Sequence, residues 1–263
     1  MTKYICIGSP YYIGQRIDER TEVDALETSG IAAEIGATWI NIKPDFDSAP
    51  DALTAINLEI ARIIYTHTDC VPIIFASDCI ASLGVLKGLE AHNPALIWYD
   101  AHGDFNTEET TPSNFLGGMP LAWLVGDGDQ KYMTGADVKP LAQTDVIMTD
   151  GRDLDPEEAI RVENSEITHI KRIEKLLRAP LPEKPLWIHC DTDVVDIDDL
   201  PGMNYPAPDG PSLEMTCMTI KRVANDANCI GLSLSLWNDS LPNGGKALAG
   251  TLKLVRAFVE GNK

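Results

Sequence analysis

The chain has 263 residues, 44% of them apolar and 23% charged, enough for a single α/β domain spanning 1–263 with a deep core. A formal charge of −19 argues against nucleic-acid binding, which needs basic patches. No apolar run reaches the roughly eighteen residues that a membrane span requires. The six cysteines are scattered, several inside apolar runs, in the manner of buried thiols in a reducing compartment rather than a disulfide framework. No leader-like apolar core follows Thr2, Lys3 and Tyr4, so a cytoplasmic location is expected. An acidic body also attracts cationic substrates over long range.

In chain order, Tyr4–Ile7 reads as a first strand and Ala52–Ile64 as a helix with one apolar face. Val71–Ala76 is a second strand, with Pro72 near its start, where proline is tolerated. Ala95–Tyr99, Asp145–Met148, Pro185–Ile188 and Ile230–Leu234 are further apolar strands of the kind buried on both faces. Helices are expected over Ile170–Leu177, Met215–Ala224 and Lys246–Glu260. The alternation predicts a three-layer α/β/α fold with a central, mostly parallel sheet. Two loops stand out: Asp104–Met119, rich in Thr, Glu, Ser and Asn, and Asp198–Ser212, stiffened by four prolines.

The chemistry gathers at the carboxyl ends of two of these strands, where parallel sheets form their sites. Asp100, His102 and Asp104 follow Ala95–Tyr99, and Asp191 and Asp193 follow Pro185–Ile188. Alternate positions at a strand end share a face, so these side chains can converge. A set rich in carboxylates and poor in histidine suits hard or borderline divalent ions such as manganese. Two such ions can share a carboxylate and activate water between them. A catalytically inactive metal-binding scaffold is the rival reading, but a scaffold has no use for five costly convergent polar groups.

These residues resemble the motifs of the ureohydrolase family, the arginases, agmatinases and their relatives, over nearly the whole chain. Asp100, His102 and Asp104 resemble its Asp-x-His-x-Asp, and Asp191, Asp193 and Asp196 its Asp-x-Asp-x-x-Asp. Ala76-Ser77-Asp78-Cys79 stands where the family has Gly-Gly-Asp-His. The resemblance implies an arginase-like fold and two manganese ions. One would be held by Cys79, Asp100, Asp104 and Asp191, the other by His102, Asp100, Asp191 and Asp193. Asp104 would also shuttle a proton from the attacking water. The substrate implied is a cationic guanidino compound, cleaved to ornithine and urea, and a homo-oligomer is compatible with the family.

Three departures qualify that picture. Cys79 replaces a histidine ligand, and is either a thiolate ligand, making iron or zinc competitive at its site, or a small buried thiol. This change resembles a branch that includes the Nω-hydroxy-L-arginine hydrolase of D-cycloserine biosynthesis, as do Leu116-Gly117-Gly118-Met119 and His189. Gly117 falls where arginases place a proton-relaying histidine. Leu236 falls where the family has a glutamate for the guanidinium, with Asp239 as a candidate replacement. Asn106, Ser113 and Asp155 match positions that hold the α-amino acid end. The competing substrates are therefore peptide-linked arginine, Nω-hydroxyarginine, and free arginine or agmatine, the first two in natural-product biosynthesis.

Overall fold

The computed structural model describes residues 2–263. Eight strands form one sheet in the order β2-β1-β3-β8-β7-β4-β5-β6. They are β1 (Tyr4–Ser9), β2 (Thr38–Asn41), β3 (Val71–Ala76), β4 (Ala95–Asp100), β5 (Val146–Asp150), β6 (Thr168–Ile170), β7 (Leu186–Asp191) and β8 (Cys229–Ser235). Every pairing is parallel, so the sheet is wholly rather than mostly parallel. Among the described residues no helix is long and apolar enough to cross a membrane.

Burial of β4 on both faces explains its unbroken apolar run. Leu96 and Trp98 enter one core, packed with the helices Ala52–Thr66 and Ser82–Leu89. Ile97 and Tyr99 enter the other, with the helices Leu213–Asp226 and Gly244–Gly261. Those two cores make the three layers. The first helix starts at Asp51, whose side chain accepts the Thr54 N–H at 2.9 Å, a standard N-cap. Its crossing with Ser82–Leu89 is close: a Cβ on Gly84 would lie 2.5 Å from the Asn57 carbonyl oxygen. Pro72 is accommodated because pairing of β3 with β8 begins only at Ile73.

Three elements differ from expectation. Ile170–Leu177 is not a helix: Ile170 closes β6, and Ile173–Leu177 forms a short 3-10 turn with only Ile173 and Leu176 buried. β2 and β6 were not expected at all. Both are short edge strands, without the apolar run of the central ones.

The four central strands, β3, β8, β7 and β4, end side by side. Cys79 follows β3, Ser235 ends β8, Asp191 ends β7 and Asp100 ends β4. The sheet thus delivers residues far apart in sequence to one place.

Candidate metal centre

The same local device ends three of these strands. Asp100 Oδ1 accepts the His102 N–H at 2.8 Å, Asp191 Oδ1 accepts the Asp193 N–H at 2.9 Å, and Asp78 Oδ1 accepts the Ile80 N–H at 3.0 Å. An aspartate that bonds the backbone two residues on closes a tight turn. In the first two cases the turn brings residues i and i+2 to the same side, which gives the Asp-x-His and Asp-x-Asp spacings a structural cause.

Two groups of side chains converge there. Cys79, Asp100 and Asp104 offer ligand atoms within 4.8 Å of one another, and so do Asp100, His102 and Asp193. Asp100 belongs to both. Asp191 stands between them, with Oδ2 3.1 Å from Cys79 Sγ and Oδ1 on the Asp193 amide. His102 Nδ1 lies 3.0 Å from Asp193 Oδ2 and 3.4 Å from Asp100 Oδ1. Asp104 adopts a left-handed φ of 48°. Its carbonyl accepts the Leu121 and Ala122 N–H groups, so the turn is tied to the next helix.

The electrostatics are those of a site built to favour a cation. Burial, reinforced by neighbouring carboxylates, pushes Asp104 and Asp191 well above the usual carboxylate range and Asp100 to about 7. Burial and the same carboxylates also raise the Cys79 thiol. Burial would lower His102, but its hydrogen bonds to Asp100 and Asp193 outweigh that and push it up to about 12. Asp104 Oδ2 is buried without a hydrogen-bond partner, a costly arrangement that a bound cation resolves. The donor set and this orphaned oxygen both fit divalent metal ions.

A cleft of about 720 Å³ opens above these groups, lined by all six candidate ligands. Asn106, Ser113 and Asp155 line it as well. Asn106 Nδ2 donates to Asp155 Oδ2 at 2.9 Å, and Asp155 begins the helix Pro156–Asn164. The structure does not bring Asp239 to the cleft: Trp237 Nε1 and the Thr21 hydroxyl occupy its two oxygens, at 3.0 and 2.7 Å. Leu236 does line the cleft, as an apolar wall. A Cβ on Gly117 would lie 2.4 Å from Phe115 Cε1, so the Phe115 ring fills the space beside it.

Sequence reasoning overlooked Glu158, which lines the cleft and is buried. Its two oxygens accept the Phe105 and Asp155 N–H groups at 2.8 and 3.2 Å. The Asp155-to-Glu158 spacing is that of a capping box, a signal that could have placed it. Phe115 and Tyr205, aromatic residues that also line the cleft, carried no comparable signal.

Comparison with known proteins gives the following. The Arginase family model matches residues 18–249. The N(omega)-hydroxy-L-arginine amidinohydrolase of Streptomyces lavendulae is 31% identical over 147 residues, covering 54% of this chain and 52% of its own length. The arginase of Bacillus subtilis is 31% identical over 155 residues, with the same coverage, 54% and 52%. In sequence the chain thus spans about half the length of the curated relatives it matches. The crystal structure of Bacillus subtilis arginase superposes with a TM-score of 0.85 at 22% identity, covering 100% of this chain and 99% of that one. The formimidoylglutamase of the same species gives 0.76 at 16%, covering 99% and 87%. Likeness at such identities establishes the fold alone.

Proposed function

Because the chain belongs to the arginase family, we propose that it is a binuclear-manganese amidinohydrolase, cleaving the guanidino group of an arginine side chain to ornithine and urea. One observation carries this reading: two ligand groups share Asp100 at the floor of a cleft lined by eight carboxylates and by no lysine or arginine. Such a lining favours a cation such as guanidinium and rejects anions. A bound pair of divalent ions supplies Lewis acidity and lowers the pKa of water. Manganese suits the oxygen-rich half, while the Cys79 thiolate leaves iron or zinc competitive at the other.

The chain's own residues have separate tasks. Asp104, with Oδ2 buried and unpaired, takes the proton of the attacking water and carries it to the leaving amine. Glu158 fixes the backbone of Phe105 and Asp155 and so positions Asn106 and Asp155. Phe115 and Leu236 give the cleft an apolar wall.

Within the family, we favour arginine held in a peptide, modified during natural-product biosynthesis. The cleft volume lies within the roughly 300–1,000 Å³ that accommodates drug-sized ligands, and Tyr12, Phe115 and Tyr205 are part of its lining. Nω-hydroxyarginine, yielding hydroxyurea, is the second reading, favoured by the likeness to the Streptomyces lavendulae enzyme. Urea and hydroxyurea release from an arginyl peptide, Nω-hydroxyarginine, free arginine and agmatine, after manganese loading, tests all of these. We expect the peptide to give the highest kcat/KM. No release from any substrate by protein carrying two ions would leave the inactive-scaffold reading standing.

A further inference from the structure

We infer that His189 is a positioning residue for the Cys79 sulfur: a neutral imidazole that donates its Nε2–H to Sγ and, with Ser235, sets the electron-donating strength of that sulfur toward a metal. The inference rests on the reading of Cys79 as a ligand.

The polarity of the chain of hydrogen bonds follows from its far end. Trp187 Nε1 can only donate, and it does so to Ser233 Oγ at 3.0 Å. The Ser233 hydroxyl proton then needs an acceptor, and His189 Nδ1 lies 2.8 Å away. With Nδ1 accepting, the neutral ring carries its proton on Nε2. Nε2 is 3.4 Å from Cys79 Sγ, and Ser235 Oγ is 3.0 Å from the same sulfur. Two donors therefore converge on Sγ from the protein side.

The ring has no freedom to leave this arrangement. His189 is buried, and Trp98 stacks on it with ring centroids 3.8 Å apart and planes 24° apart. The Trp98 indole also donates to Asp100 Oδ2 at 3.1 Å, so one side chain orients both the imidazole and the shared carboxylate. Hydrogen bonds to a metal-bound thiolate stabilise its lone pairs, hold it deprotonated and fix its orientation toward the ion.

Cobalt(II) is the probe, because a thiolate ligand gives it a near-ultraviolet charge-transfer band. In cobalt-loaded His189→Phe, which keeps a ring to stack on Trp98, the band should move to longer wavelength. Affinity at the cysteine-containing site should fall about 10- to 100-fold, with the other site little changed. His189→Gln, which retains a donor, should restore the band position. Ser233→Ala frees the tautomer and should shift the band the same way by less. A band and affinity unchanged in both His189→Phe and Ser233→Ala would overturn the inference while leaving Cys79 a ligand. Gln behaving no better than Phe would overturn it too. A wild-type protein without the band would remove Cys79 as a ligand and the inference with it.

Discussion

Asp100 alone belongs to both candidate ligand groups. Asp100→Ala should therefore lose two ions together, whereas Cys79→Ala should lose one; elemental analysis of the manganese-loaded variants checks the difference. The protonation of the same groups makes a second prediction. Asp100 rises from an ordinary 3.8 to about 7 in the folded chain, so the metal-free native state holds a proton that the unfolded state releases. That contribution is complete below the unfolded value and is lost as pH rises through the folded one. His102, raised from 6.5 to about 12, acts in the same direction over a higher range. With a chelator present, the melting temperature should fall between about pH 5 and about pH 8. Metal ions need deprotonated ligands, so loading with manganese should flatten or reverse the slope. A chelated protein that grows more stable over that range would contradict the burial of these acids.

At the scale of elements, one arginine fastens the loops around the site. Arg152, just beyond β5, pairs with Asp150 and donates to the carbonyls of Asp193, Val194, Ala207 and Pro208 at 3.1, 3.1, 3.0 and 2.8 Å. It joins the turn carrying Asp193 to the proline-rich loop. Arg152→Ala strands a buried carboxylate and several carbonyls and should cost about 3–5 kcal/mol in urea unfolding. Arg152→Lys should recover only part of that, because an ammonium cannot match the planar fork. The central strands were readable in the sequence because burial on both faces demands unbroken apolar runs, as in β4 and β7. The edge strands β2 and β6 escaped because a half-exposed strand of three or four residues leaves no pattern. The convergence of Asp100 with His102 and of Asp191 with Asp193 was readable because Asx turns impose that spacing locally. The orientation of Asp239 is set jointly by Trp237, two positions before it, and by Thr21, 218 positions away, and no local signal reports the second contact.

The whole molecule carries a formal charge of −19, and its cleft continues that sign inward. A peptide bearing several cations should feel this field more strongly than free arginine does, whose carboxylate is repelled. Exposed charges are screened beyond about 10 Å at 0.1 M salt and about 3 Å at 1 M. The kcat/KM of a basic arginyl peptide should therefore fall steeply across that range, and that of free arginine less. Asp155 separates the substrates from a second direction. Its carboxylate lies in the cleft lining beside Asn106, suited to a free α-amino group that a peptide-linked arginine lacks. Asp155→Ala also removes a helix cap worth about 1 kcal/mol, so stability alone cannot be the readout. The ratio of kcat/KM for peptide over free arginine cancels any loss of folded enzyme. That ratio should rise in Asp155→Ala if the free amino acid uses this carboxylate and the peptide does not. If free arginine is the better substrate in the wild type, and neither salt nor Asp155→Ala changes the ratio, the acidic cleft does not select peptides and the enzyme acts on the amino acid itself.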